Sequence, residues 1–200
     1  MLNLKAEKSL WKKGYHLLAG IDEAGRGAWA GPLVAAAVAF TQKSKIPAGI
    51  NDSKQLSPTK RLSLANAIIK SGTDYGLGIV SAEQIDQKGI IWATQLAFYR
   101  AVKELTSKPE MVLTDAYPIN KLDPEKQKAI IRGDQQILSI AAASIIAKVY
   151  RDWLMSQIYH IQYPQYYFQK HKGYGTQQHR ELINKWGTCS IHRRSYLRSL

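Results

Sequence analysis

Leu17-Leu18-Ala19-Gly20-Ile21-Asp22-Glu23-Ala24-Gly25-Arg26-Gly27 is an apolar run that ends in two adjacent carboxylates and a glycine-arginine-glycine turn. Its first half, short and bounded by turn signals, predicts a buried strand over Leu17 to Ile21, with Asp22 and Glu23 emerging at the carboxyl end. Both acids are hard oxygen donors. Side chains alternate along a strand, so the pair can reach one cation only if the chain turns there. Gly25 and Gly27 make a turn inexpensive and let backbone N–H groups approach a sugar or phosphate, while Arg26 adds a planar cation able to hold a phosphate through two donors. An acidic turn that merely solvates a strand end satisfies the same residues. The rest of the chain has to decide.

Outward from this stretch, Pro32 to Phe40 predicts a second buried strand. Ser57 caps a helix that opens at Pro58 and runs to Lys70, where Ser71-Gly72 stops it. Tyr75 to Val80 predicts a third strand, and helical patterning covers about 82–86 and 90–105. Met111-Val112-Leu113-Thr114 before Asp115 is a fourth apolar strand ending in a carboxylate, which repeats the layout of Asp22. A fifth strand at Ala129-Ile130-Ile131 leads into Arg132-Gly133-Asp134, and a long helix follows from about Ile140 to Ile161. The small residues Ala141 to Ser144 suit close packing of that helix on a sheet. One more helix is predicted near Gln177 to Lys185. Strands gathered early and then alternating with helices give an α/β fold, a mixed sheet flanked by helices.

The chain has 200 residues, enough for a sizeable core in one domain. Its net charge of +13 and isoelectric point near 9.8 imply a polyanionic partner, nucleic acid first and an anionic membrane surface second. No stretch approaches the roughly 20 apolar residues of a spanning helix, and the N-terminus has no signal-peptide pattern, so a soluble cytoplasmic protein is expected. Cys189 is the only cysteine, which excludes an intrachain disulfide and a multi-cysteine zinc site.

Asp22, Glu23, Asp115 and Asp134 can converge, and such a cluster is tolerable mainly when it binds Mg²⁺ or Mn²⁺. Two such ions about 3.5–4 Å apart suit phosphodiester hydrolysis. Asp115 capping a loop and Asp134 capping a helix are the alternatives. A second set is basic and aromatic: Asn51 to Lys54, Lys148 with Arg151, Gln169 to Tyr174, and His192-Arg193-Arg194 can track a phosphate backbone. Tyr174 offers a flat face to a sugar or base. Asp152 is expected to pair locally with Lys148, four residues before it.

Six segments taken together resemble bacterial ribonuclease HII, of the type 2 ribonuclease H family. They are Gly20 to Gly27, Asn51 to Ser57, Arg132-Gly133-Asp134, Ala142 to Val149, His171 to Tyr174 and Ile191 to Ser195. The resemblance implies a ribonuclease H-like mixed sheet flanked by helices with a helical C-terminal region. It implies one catalytic domain over 1–200, with about 163–200 as a substrate-binding helical segment. The acids matching Asp22, Glu23, Asp115 and Asp134 would bind the catalytic metals, Mn²⁺ or Mg²⁺. The turn Gly25-Arg26-Gly27 and Tyr174 would recognise the ribose 2′-hydroxyl at the RNA-to-DNA junction, the group that separates RNA from DNA locally. Lys54 and Lys148 join them as substrate-binding residues. The expected substrates are RNA/DNA hybrids and duplex DNA containing ribonucleotides, with no membrane or obligate protein partner and a monomer as the default.

Two departures from the family pattern affect the site loops. Ala116 follows Asp115 where the family commonly has Gly, and Trp29 is bulky beside the glycine turn. About sixteen residues precede the first strand, too few for the additional substrate-binding domain of the related ribonuclease HIII. Dinucleotide binding is a rival enzyme class, since Gly25-x-Gly27-x-x-Ala30 matches a relaxed fingerprint with Asp52 downstream. Asp22 and Glu23 would repel a pyrophosphate there, and Gly31-Pro32 interrupts the required helix. A non-catalytic nucleic-acid-binding module accounts for the charge and aromatics but not for the acids.

Overall fold

Continuously apolar strands need both faces covered, and the computed structural model, which describes residues 2–197, covers them. The last three residues of the expected C-terminal segment, 198–200, lie outside the described residues. The strands are β1 (Leu17–Ala24), β2 (Leu33–Thr41), β3 (Asp74–Val80), β4 (Met111–Asp115) and β5 (Gln127–Ile130). They form one mixed sheet in the order β3-β2-β1-β4-β5. β1 to β3 are a meander of antiparallel pairs, whereas β1, β4 and β5 run parallel. The helices of the first half are α1 (Lys5–Lys12), α2 (Pro58–Lys70), α3 (Ala82–Lys88) and α4 (Ile90–Lys103). α5 (Leu138–Trp153) passes through a π-helical stretch (Leu154–Tyr159) into α6 (His160–Gln162), followed by α7 (Phe168–His171) and α8 (Gln177–Trp186). None of them is long and apolar enough to cross a membrane.

The period-2 geometry of β2 divides the core into layers. Ala35, Ala37 and Ala39 pack with Ala93, Ala97 and Phe98 of α4 on one face. Ala36, Val38 and Phe40 pack with Leu64 and Ile68 of α2 and Ala142 and Ile146 of α5 on the other. The small residues at the start of α5 are fully buried, as expected for a helix lying close against a sheet. Ser57 accepts from Lys60 N at 3.3 Å and caps α2 as its sequence predicts.

Several boundaries differ from the sequence expectation. β1 continues through Asp22 and Glu23 to Ala24 because those residues pair in register with Ala36, Ala35 and Val34 of β2. β5 begins at Gln127 rather than Ala129, carried by its pairing with β4. The long helix loses α-helical hydrogen bonding after Trp153, where the π-helical stretch turns Met155 into the space beside Gly31. α1 was not expected at all. It docks through Glu7, whose buried Oε1 accepts from Ser139 N at 2.9 Å and Ser139 Oγ at 3.0 Å. Ile137 supplies no side-chain cap to α5, so Glu7 acts as its cap from a distant part of the chain.

Gly20 sets how closely α5 approaches β1. A Cβ there would lie 2.1 Å from Ser139 C and 2.3 Å from Ile140 N, both backbone atoms that cannot move aside. We therefore expect Gly20→Ala to lower stability by about 3 kcal/mol, the upper range for overpacking. Urea unfolding checks this, and a loss below about 1 kcal/mol would show that α5 can yield at this contact.

Candidate active site

The acidic cluster is built by strand register. Ile21 pairs with Thr114 across the parallel β1–β4 ladder, which sets Asp22 and Asp115, the next residue of each, side by side. Asp134 arrives from a third element, a 3₁₀ turn (Gly133–Gln135) that precedes α5. That turn is entered through Arg132 in the left-handed region at φ +55°. Asp115 Oδ1 accepts from Gly133 N at 2.7 Å, so the turn that brings Asp134 also orients Asp115. Oxygen atoms of Asp22, Asp115 and Asp134 lie within 4.8 Å of one another. Asp22 and Asp134 are buried.

Glu23 is not in that set. Because β1 runs straight through it, period-2 alternation sends Glu23 to the face shared by Ala19 and Ile21, while Asp22 shares the face of Gly20 that meets α5. The turn needed to bring both acids to one point comes later, at Gly25, whose φ of +92° favours glycine and where a Cβ would strike Arg151. Gly27 has open space at its Cβ position and needs no such conformation.

Burial and mutual repulsion act on these acids together. Asp22 is held well above the ordinary carboxylate range by burial, then by the charges of Glu23, Asp115 and Asp134, against one stabilising bond from Glu23 N. Burial also pushes Glu23 up to about 7, with Arg26 opposing and Asp115 adding to the rise. Asp115 is raised by burial despite the Gly133 N–H. The nearest cation is Lys54, whose Nζ sits 3.4 Å from Asp134 Oδ2 on a largely exposed side chain. Burial disfavours its charge, but Asp134 and Asp22 outweigh that and raise its pKa. The Lys54 loop is fixed by Asp52, which accepts from Lys54 N at 2.9 Å and Gln135 Nε2 at 3.3 Å, and by Ser53 N donating to Ser144 Oγ on α5. An all-oxygen set of converging carboxylates with one exposed lysine as counter-charge fits a hard divalent cation.

The basic and aromatic residues separate into two groups. Lys148 pairs with Asp152 at 2.7 Å, as its spacing predicts, and its ammonium lies 5.0 Å from the centre of the half-buried Tyr174 ring. Arg26 lies over Tyr117 at 4.8 Å. Arg151, Arg193, His171 and His192, by contrast, are buried and cannot track a phosphate backbone as their sequence suggested. Arg151 donates to the carbonyls of Pro32, Ala30 and Lys172 at 2.9–3.0 Å, and Arg193 to those of Gly31 and Arg26 at 2.9–3.1 Å. Among the described residues neither has a carboxylate partner, and burial lowers the pKa of both, that of Arg193 to about 10.

Arg151 ties the turn after β1 to the Tyr174 loop, and Arg193 ties the same turn to the C-terminal segment. Trp29 N and Ala30 N both donate to Gly173 O, at 2.8 and 3.1 Å, completing the junction. The bulk of Trp29 is accommodated because Gly175 leaves its side-chain space to the indole. Ala116 takes the left-handed conformation, φ +60°, which explains why a glycine suits that position.

The model of the family described as Ribonuclease HII matches residues 19–199. A ribonuclease HII of Caldanaerobacter subterraneus is 48% identical over 194 residues, covering 97% of this chain and 79% of that protein. The ribonuclease H2 of Pyrococcus horikoshii superposes with a TM-score of 0.69 at 27% identity, over 90% of this chain and 93% of its own. A structure of the PCNA:RNase HII complex from Archaeoglobus fulgidus gives 0.69 at 29% identity, over 88% and 93%.

Raised carboxylate pKa values mean that the folded chain binds more protons than the unfolded chain. Their stabilising contribution is complete below the ordinary carboxylate range and is lost as pH rises through the raised values, to about 7 for Glu23. In EDTA, Asp22→Asn should therefore be more stable than the parent chain at pH 8 by about 1–2 kcal/mol, and not at pH 4. Mn²⁺ should raise the melting temperature of the parent at pH 8 and not that of the variant. A parent chain whose stability relative to the variant is flat from pH 4 to 8 would contradict the electrostatic account.

Proposed function

This chain belongs to the ribonuclease HII family, and from that premise we propose that its aspartate cluster is the catalytic centre of an endoribonuclease with two substrates. Metal-dependent hydrolysis of the RNA strand in RNA/DNA hybrids is the activity that comes with the family. The further substrate is duplex DNA carrying single ribonucleotides, incised on their 5′ side to leave 3′-hydroxyl and 5′-phosphate ends. The observation that carries the reading is the convergence of Asp22, Asp115 and Asp134 from three separate elements.

When bound, two Mg²⁺ or Mn²⁺ ions supply a lowered pKa for the attacking water and charge stabilisation for the departing 3′-oxygen. Asp22, Asp115 and Asp134 would hold them, and Glu23, which β1 turns to its other face, would add its carboxylate from beside the cluster. The Gly133 N–H fixes the rotamer of Asp115, so the ligands are in place before substrate arrives. Lys54 is exposed enough to move from Asp134 to a phosphate oxygen. Lys148 and Arg26 extend the positive surface along the strand.

Recognition of the ribose falls to Gly25-Arg26-Gly27 and Tyr174. What supports this is their shared frame: Arg26 O is held by Arg193 Nη1 at 2.9 Å and by Tyr196 OH at 3.1 Å, while Gly173 O holds Trp29 N. The segment from about 163 to the C-terminus is thereby a substrate-binding part of the same catalytic domain. A non-catalytic binding module would have no use for three converging carboxylates.

Asp115→Asn should cost about 10²–10³-fold or more in turnover on a uniform hybrid while the circular dichroism spectrum and duplex affinity persist. Parent-like turnover in that variant would remove Asp115 from the centre. Tyr174→Ala should slow incision at a single ribonucleotide by about tenfold or more, as expected when a contact that places the substrate is lost. If incision of both substrates stayed unchanged, Tyr174 would have no part in recognition.

A further inference from the structure

Three buried imidazoles stack directly behind Tyr174. His171 and His179 lie with ring centres 4.3 Å apart and planes 18° from parallel, and His192 follows at 5.2 Å from His179. Phe168 packs its ring against all three. The hydrogen bonds of this stack admit a single proton arrangement. His192 Nδ1 accepts from Cys189 N at 2.9 Å, and the Cys189 thiol lies 3.1 Å from the same nitrogen, so Nδ1 is bare and Nε2 carries the proton. His192 Nε2 lies 3.1 Å from His179 Nε2, which must then be the acceptor. His179 therefore carries its proton on Nδ1, which donates to the Tyr174 carbonyl at 3.0 Å. His171 obeys the same logic, accepting from Gly173 N at Nδ1 and donating from Nε2 to Tyr166 O.

We propose that His192 is a positioning residue for ribose recognition: its Nε2–H donates to His179 Nε2 and so orients the imidazole whose Nδ1–H holds the Tyr174 carbonyl and places the Tyr174 ring. The proposal rests on the reading of Tyr174 given above. The Tyr174 carbonyl is an obligate acceptor and keeps the proton on Nδ1, so without a donor at position 192 the His179 Nε2 becomes a buried acceptor with no partner and the ring loses the bond that orients its Nδ1–H. The same carbonyl also accepts from Thr176 N at 2.9 Å, so His179 is the side-chain donor of the pair that holds it, and Tyr174 N donates to His171 O at 2.9 Å. Burial lowers the pKa of all three rings, that of His179 to about 3 and that of His192 to about 4, so these two stay neutral near pH 7. No carboxylate is paired with any of them among the described residues. The relay is thus a fixed support whose proton pattern is set at one end by the Cys189 N–H and at the other by the Tyr174 carbonyl.

Long-range ¹H–¹⁵N correlation spectra of the full chain read the tautomers directly. The expected result is a protonated Nδ1 on His179 and a protonated Nε2 on His192; a protonated Nε2 on His179 would overturn the proposal. His192→Phe keeps a flat ring and removes the donor, and should leave the circular dichroism spectrum unchanged while slowing incision at a single ribonucleotide about tenfold. His192→Gln, which restores an N–H near the Nε2 position, should recover the parent rate. A His192→Phe variant that keeps the parent incision rate would also overturn the proposal. Tyr174→Ala run in the same assay separates the two ideas. Unchanged incision there removes the ribose reading itself, whereas slowed incision there with parent-like His192→Phe removes the relay alone.

Discussion

Electrostatic repulsion among Asp22, Asp115 and Asp134, held with oxygens within 4.8 Å in a largely buried setting, is the constraint around which the molecule is organised. Carboxylates left to themselves would separate or protonate. Here the backbone forbids separation, because each acid sits on a different part of a rigid frame. Parallel pairing of β1 with β4 fixes two of them, and the packing of α5 on Gly20 fixes the third. The helix cannot retreat without breaking its cap from Glu7 and uncovering the apolar face it shares with β2 and α2. Folding energy is therefore spent on a charge arrangement that a divalent cation would relieve where the acids are ionised.

The substrate side of the site follows a different rule. Its frame is polar and buried, made of Arg151 and Arg193 donating to main-chain carbonyls, with no paired carboxylates. Carbonyls in irregular loops lack partners in sheet or helix, and a guanidinium with its fork of donors satisfies several at once. The arrangement locks two loops far apart in sequence, 25–32 and 171–174, into one surface beside the acids. It also leaves net positive charge under that surface, in keeping with a polyanionic duplex as ligand.

Much of this was legible in the sequence. An apolar run ending in Asp occurs before Asp115 as it does before Asp22, and this repetition suggested that the acids can converge; that the two strands are parallel neighbours is seen only in their pairing. The cap at Ser57, the Lys148–Asp152 pair and the close packing of Ala141 to Ser144 were readable because their physics is local. Period-2 alternation already required a turn if Glu23 was to join Asp22 as expected, but the length of β1, which separates them, depends on pairing with β2, which no local signal reports. Burial was the main quantity hidden from view. Arg151, Arg193, His171 and His192 look in sequence like groups that track a phosphate backbone, and only the closing of the C-terminal segment over the turn after β1 makes them internal supports. α1 was invisible for a related reason: its anchor, Glu7, is a charged residue whose partner Ser139 lies 132 positions away. The left-handed Ala116 shows the reverse case, a departure from family pattern that marked a real conformational demand.

The central claim is that the acid cluster and the loop beside it act as one device that cuts at a ribose. It is tested most directly by mapping, at nucleotide resolution, the products from a DNA duplex with one internal ribonucleotide and from an all-DNA control, in Mg²⁺, Mn²⁺ or EDTA. The account predicts a single incision on the 5′ side of the ribonucleotide in either metal, an intact control, and no cleavage in EDTA. Binding without incision in any metal, or cleavage that ignores the ribonucleotide, would contradict it.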